Sequence, residues 1–475
     1  MSFLALAPVI AVVAGALAAL LGEAFLKRRD HGLSVAAAVL SLGVAAFFIV
    51  RAWPREPAYF GGRLALDPLA LLLMGVFILV AALVLLMSLA YAPRREINLG
   101  QLTGLLLLAV AGLMIMVSTK DWLVVFLGLE VLSVASYALA GLWRGDPRSR
   151  EAAAKYFLMG SFAGAFFVFG LALLYGTTGS LGLGPGLPHV SGPGAPPVAG
   201  LAGLGLILAA LFFKIAVAPF HMWAPDVYEG APTPVAAFLT IAPKAAGLAV
   251  LFRVFWPLPV PGGVSSFFVP FLSVVAVLTM FVGNLAALRQ ESVKRLLAYS
   301  AIAHSGYLLV GVIAGDGPAM VFYVIVYAFM NAGAFAVLAA LSGGGEEHTR
   351  LSDLSGLGRR HPWLAASLAI FLLSLAGIPP TAGFLAKFYL FAAAVAEGHV
   401  ALAVAAVLAS LVSVAYYLKV IVVMYMREQE IEPVLEQDDP APFLAIFLCL
   451  VGVLELGLWP SNLLVLIRQA LGGGI

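Results

Sequence analysis

The chain has 475 residues, of which 63% are hydrophobic and only 11% charged, with a formal net charge of +2. A soluble domain carries about a quarter charged residues, so a chain this apolar needs lipid as its main solvent. The near-neutral balance gives no bulk signal for nucleic acid, and the one cysteine, Cys449, excludes an internal disulfide, a paired-thiol motif and an iron–sulfur ligand set.

The chain is apolar from Phe3, and its first basic residues, Lys27, Arg28 and Arg29, follow the apolar run. That order predicts a first transmembrane helix and not a cleaved signal peptide. A span needs about 20 apolar residues. Fourteen are predicted, at 3–25, 32–51, 67–90, 99–118, 121–143, 151–176, 199–218, 234–256, 267–288, 294–314, 317–341, 362–396, 400–426 and 441–463. The twelfth is too long for one straight span and contains GIPPTAG, which predicts a broken helix. Between the sixth and seventh spans, Gly176–Leu201 is rich in Gly and Pro and reads as an external loop. The loop after the thirteenth, REQEIEPVLEQDD, is acidic, either a solvated loop or a docking surface.

Lys and Arg are concentrated in the connections after odd-numbered spans, which carry fifteen, Lys294 among them, against six on the other side, Arg51, Arg55, Arg63, Lys120, Arg253 and Arg468. The positive-inside bias then puts both termini on the external side.

AGAFFV at Ala163–Val168 recurs as AGAFAV at Ala332–Val337, and SYALAGL at Ser136–Leu142 resembles GYLLVGV at Gly306–Val312. The offsets, 169 and 170, agree on different helices and map spans 4–8 onto 9–13. They also carry Lys214 to within three or four residues of Lys387. Five helices is an odd number, so the second copy enters the membrane from the opposite side, as in transporters built from inverted repeats. The expected fold is an all-α polytopic membrane protein with N-terminal helices at 1–98, a first five-helix repeat at 99–256, a second at 267–426, and a C-terminal helix at 441–475.

Five lysines fall inside spans: Lys155, Lys214, Lys244, Lys387 and Lys419. Glu130 and His304 join them, and Glu455 lies in the last span as a structural or interface group. A charge at mid-membrane costs about 2.5–3.5 kcal/mol on insertion scales. Lys419 and Lys155 lie near span ends and can snorkel. Glu130, Lys214, Lys244 and Lys387 lie deeper, and a proton path is the default reading for such a set. Prolines accompany the lysines. Pro219 has no N–H and leaves the carbonyl of Ile215 without its helical partner, and Pro243 does the same to Leu239. Pro379 and Pro380 precede Lys387 by about two turns. The expectation is that the freed carbonyls, His221, Asp226 and water solvate Lys214, and that Glu130 holds it protonated. Breaking that pair would send a proton by Lys244 and His304 to Lys387.

The runs GLEVLSVASYALAGL, RSREAAAKYFLMGSFAGAF, FKIAVAPFHMWAPDVYEGAPTPV, SVKRLLAYSAIAHSGYLLVG and GIPPTAGFLAKF resemble the antiporter-like subunits of respiratory complex I, most of all the N-type. The resemblance covers roughly 67–425. It implies fourteen helices, with two inverted five-helix repeats and breaks in helices 7 and 12. It also implies an input pair of Glu130 and Lys214, a central Lys244 and an output Lys387, with Lys155, His221 and His304 on a hydrated axis. A lysine at 387, where the M-type has glutamate, and the lack of a long lateral helix favour the N-type. The implied role is proton translocation in a bacterial inner-membrane NADH:quinone oxidoreductase. FMN, iron–sulfur clusters and quinone would lie in partner subunits, with no cofactor or metal in this chain. The implied partners are M-type and small membrane subunits. A sodium/proton antiporter subunit is the main alternative. A purely structural membrane subunit and a solute transporter fit the buried lysines less well.

Overall fold

The structure is a computed structural model describing residues 5–25, 32–53, 58–60, 63–183, 198–255, 264–342, 347–428 and 440–471. The basic run Lys27–Arg29, Arg55, and most of the Gly/Pro-rich and acidic loops lie outside the described residues.

Thirteen helices among the described residues are long and apolar enough to cross a membrane. They are α1 (Ala7–Phe25), α2 (Gly32–Ala52), α3 (Pro68–Tyr91), α4 (Leu99–Val117), α5 (Trp122–Ala140), α6 (Pro147–Thr178) and α7 (Val198–Lys214), then, after the short α8 (Ala224–Gly230), α9 (Thr233–Phe255), α10 (Val264–Leu288), α11 (Val293–Ala314) and α12 (Gly317–Leu341). After the four-residue α13 (Leu357–Arg360), the predicted twelfth span is split into α14 (Pro362–Ala376) and α15 (Ala382–Ala396). The last two spans are α16 (Val400–Met426) and α17 (Pro440–Leu458). The chain is a multi-pass membrane protein, and every predicted span is present. Two features escaped the span count: an antiparallel hairpin pairing Ala58–Phe60 with Leu64–Leu66, and α18 (Ser461–Leu471).

Polar caps start several helices where the apolar runs begin. The side chains of Asp67, Asn98, Asp121, Asp146, Ser292 and Asp316 accept from backbone N–H groups of the first turn, and prolines follow Asp67 and Asp146 at the first helical position. These caps satisfy donors that lipid could not.

The helices sort by burial. α9 is buried along its whole length, and α11 and α12 nearly so. α1, α2, α6, α16 and α17 show large apolar side chains on their outer faces. α11 packs against α8, α9, α10, α12, α15 and α16, so it runs through the middle of the bundle. Arg253, counted in sequence as a loop charge, is buried at the end of α9. It makes a two-pronged pair with Asp67 (2.6 and 2.7 Å) and donates to the Val117 carbonyl, tying α9 to the start of α3 and the end of α4. Lys294 is likewise no loop charge. It is buried in the first turn of α11, 2.7 Å from both Glu347 and the Ala231 carbonyl.

Candidate functional site

The two breaks are built alike. α7 ends after Lys214: Ala216 N–H donates to the Phe213 carbonyl and Val217 N–H to Phe212, with Ala216 left-handed at φ 56°. α14 ends the same way. Gly377 N–H donates to Ser374 and Ile378 N–H to Leu373, with Gly377 at φ 86°. This is the paired bonding of a Schellman cap, which usually takes glycine at the left-handed position. An alanine there costs about 1–2 kcal/mol, held by surrounding packing. A proline follows three residues later in each case, Pro219 and Pro380, each after a cis peptide bond.

Aligned on these caps, Lys214 corresponds to Leu375 and Lys387 to Asp226. The repeat offset read from sequence therefore does not pair the two lysines. Lys214 is the last residue before its break, whereas Lys387 lies in α15 beyond its own. The spacing from the repeated motifs to the break differs between the halves.

The Lys214 ammonium is buried and donates to two hydroxyls, Ser133 of α5 (2.9 Å) and Tyr156 of α6 (3.2 Å). The rings of Tyr156 and Tyr137 lie 5.3 and 5.9 Å from it. This corrects the expectation that freed carbonyls, His221 and Asp226 solvate it. The Ile215 carbonyl is taken by the Ser305 hydroxyl of α11 at 2.6 Å, and the Leu239 carbonyl by the Tyr228 hydroxyl at 3.2 Å. Asp226 instead pairs with Lys155 (2.7 Å) and Arg295 (2.8 Å). His221 is half-buried, and its Nδ1 has no hydrogen-bond partner among the described residues. Glu130, half-buried on α5, lies one turn from Ser133, with no direct ion pair to Lys214.

At the second break the carbonyls do solvate a lysine. Lys387 folds back on α14 and donates to the carbonyls of Leu375 and Ala376, both at 2.9 Å, and to Ser410 at 2.8 Å. Ala376 is the residue whose carbonyl Pro380 leaves free. The ammonium stands 5.0 Å from the Tyr307 ring.

α11 gathers the middle of the set. The Lys244 ammonium, fully buried on α9, donates to the Ala301 carbonyl. His304 follows one turn on, its Nδ1 hydrogen-bonded to the Tyr323 hydroxyl at 2.8 Å. Ser305 reaches the first break and Tyr307 lies beside Lys387. Lys244, His304 and Lys387 are thus brought to one helix, with Lys214 joined to it through its neighbour Ile215. Lys155 stands apart, partly exposed and paired with Glu151 and Asp226. Lys419 is exposed on α16 and Glu455 on α17. The sequence reading missed the hydroxyls of Ser133, Tyr156, Ser305 and Ser410, because serines and tyrosines scattered over helices carry no spacing signal.

Residues 119–413 match the family profile described as NADH:quinone oxidoreductase/Mrp antiporter, TM. The chain is 41% identical to the NADH-quinone oxidoreductase subunit N of Trichlorobacter lovleyi, over 96% of this chain and 94% of the relative. It is 42% identical to that of Chloroflexus aggregans, over 98% and 96%. The chain belongs to the NADH-quinone oxidoreductase subunit N family. Among solved structures it is similar to a chain of respiratory complex I from Thermus thermophilus with bound aureothin: 36% identity, TM-score 0.81, covering 96% of this chain and 98% of that one. A chain of the Mrp complex from Dietzia shares the fold, with a TM-score of 0.84 at 24% identity. Membership in the subunit N family makes the chain part of an oxidoreductase complex of the membrane, and proton translocation is consistent with the family.

Proposed function

We propose that this chain is a non-redox, proton-translocating subunit in the membrane arm of a bacterial NADH:quinone oxidoreductase. The observation that carries the reading is the buried row Lys214, Lys244, His304 and Lys387, gathered on α11 with each polar head held by hydroxyls or carbonyls. An ammonium can give up a proton and take one back, which makes it a candidate carrier. Hydroxyl and carbonyl partners orient it without fixing its charge. Glu130 acts at the Lys214 end, one turn from the serine that holds the ammonium, and its charge sets whether Lys214 keeps its proton. Lys244 and His304 pass the proton on, and Lys387 delivers it. Lys155 and His221 lie on the approach to Lys214. Lysines suit protons better than sodium, since they lack the oxygen cage a hard cation needs.

The inverted-repeat reading, 99–256 against 267–426, has support of two kinds. The same helix pairs pack in both halves: α4 on α5 as α10 on α11, and α6 on α7 and α8 as α12 on α14 and α15. Tyr137 and Tyr307, 170 residues apart, each lie beside a buried ammonium. Flavin, iron–sulfur clusters and quinone belong to partner subunits under this reading, with M-type and small membrane subunits as neighbours. Both termini face outward by the charge bias.

The test is the assembled complex in proteoliposomes. Lys214→Met and Lys387→Met should each lower the number of protons pumped per NADH while the complex still assembles. Full pumping in either variant rejects the reading. A tagged chain that co-purifies on a native gel with small membrane proteins and no NADH-dependent reductase activity would instead indicate the antiporter alternative.

A further inference from the structure

A charged cavity of about 250 Å³ opens beside the first break, lined by Arg148, Glu151, Lys155, Asp226, Glu229 and Arg295. Two elements lead inward from it in opposite chain directions. α6 begins at this end of the bundle, so it passes from Arg148, Glu151 and Ala152 at the cavity to Tyr156 one turn deeper. α8 runs the other way, so Asp226 and Glu229 lie at the cavity and Trp223 one turn deeper. At that depth the two aromatic side chains meet. The Tyr156 and Trp223 rings are stacked, with centroids 4.4 Å apart and planes 5° from parallel. Both are fully buried. The inner side of the stack is Lys214, whose ammonium donates to the Tyr156 hydroxyl. Trp223 is fixed by its indole N–H, which donates to the Phe213 carbonyl at 2.9 Å, and by the Phe213 and Tyr228 rings at 5.2 and 5.4 Å.

We propose that the stacked Tyr156–Trp223 pair is the seal that separates this charged cavity from Lys214. Trp223 is a positioning residue, acting through Tyr156. An indole offers its N–H as its only polar atom, and here that donor is already committed to Phe213. The Trp223 side of the stack therefore presents no acceptor through which a proton could pass while it is closed, and the Tyr156 hydroxyl already accepts from Lys214. The Lys155–Asp226 pair, at the cavity, holds α6 and α8 together and so keeps the rings in register. Parting of that pair frees α8 to move and lets water reach the ammonium. This inference rests on the proton-path reading, and its test is arranged to fail separately from it.

The measurement is passive proton conductance of proteoliposomes holding the assembled complex without NADH, with quinone reductase activity as the check on assembly. Loss of one stacked pair corresponds to roughly a three- to tenfold rise in the open population. Trp223→Ala should raise the passive conductance by that factor, and Trp223→Phe, which keeps a ring over Tyr156, should bring it most of the way back. Where the alanine variant does not assemble, Trp223→Leu, which keeps bulk without the stack, serves in its place. An assembled alanine or leucine variant as tight as the parent overturns the seal. Adding Lys214→Met to the leaky variant should close the leak. A leak that persists in the double variant leaves the seal standing and removes Lys214 from the path.

Discussion

Ser305 on α11 donates its hydroxyl to the carbonyl of Ile215 at 2.6 Å, 90 residues away in sequence. Pro219 removed that carbonyl's helical partner, and α11 supplies another. At the second break the equivalent carbonyl, that of Ala376, accepts from Lys387. One backbone device thus has two solutions: a serine from a neighbouring helix at the first break, Lys387 at the second.

Ser305→Ala should therefore destabilise the first break. An unsatisfied buried acceptor costs about 1–3 kcal/mol. Thermal unfolding of the detergent-solubilised complex would detect the loss, and Ser305→Thr, which keeps the hydroxyl, should recover most of it. An alanine variant as stable as the parent would mean that the Ile215 carbonyl has another partner.

The two left-handed cap positions should respond with opposite signs. Ala216→Gly removes a left-handed penalty of about 1–2 kcal/mol, offset in part by glycine's greater freedom in the unfolded chain. It should be neutral or slightly stabilising. Gly377→Ala adds the penalty and brings a Cβ to 3.0 Å from the Lys387 Cδ. It should lower both stability and protons pumped per NADH, since the lysine must shift off the Leu375 and Ala376 carbonyls. Equal behaviour of the two variants would contradict the cap geometry.

Arg253→Lys should not be conservative. A lysine cannot reproduce the planar fork that meets both oxygens of Asp67 and the Val117 carbonyl. Hydrogen bonds to charged groups are worth about 1.5–3 kcal/mol each, so the loss of one sets the scale. The check is the melting temperature of the variant complex beside that of Arg253→Met, which should fall further because Asp67 is left uncompensated.

Acid sensitivity should track Glu347. Burial pushes its carboxyl up, but the Lys294 ammonium, with the Thr233 and Tyr91 hydroxyls, overcomes this and holds it below its ordinary value of 4.5. A depressed carboxylate contributes stability that is fully present above that ordinary value and lost as pH falls through the lower folded one. The parent should therefore lose stability on acidification below about pH 4.5. Glu347→Gln should lose that part of the pH dependence and be less stable at neutral pH by about 3–5 kcal/mol, because Lys294 stays buried without its partner. Stability measured from about pH 3 to 8 distinguishes the two.

The sequence by itself determined the fourteen spans, the two broken helices and the burial of Lys214, Lys244, His304 and Lys387. Lipid makes each of these legible, since a span must be apolar for its full length and a proline or buried charge stands out against it. It could not say which partner each polar group would find. Whether a freed carbonyl meets a lysine or a serine depends on which helix lies alongside, and that is a property of the packed bundle. The same limit put Arg253 and Lys294 in loops: counting charges at span ends does not reveal a carboxylate arriving from Asp67 or Glu347. The two lysines looked repeat-related because motif offsets are measured along the chain. Only the tertiary structure, with Lys387 folded back across its break, decided that Lys214 is held by hydroxyls of α5 and α6 and Lys387 by the carbonyls of α14 and by Ser410.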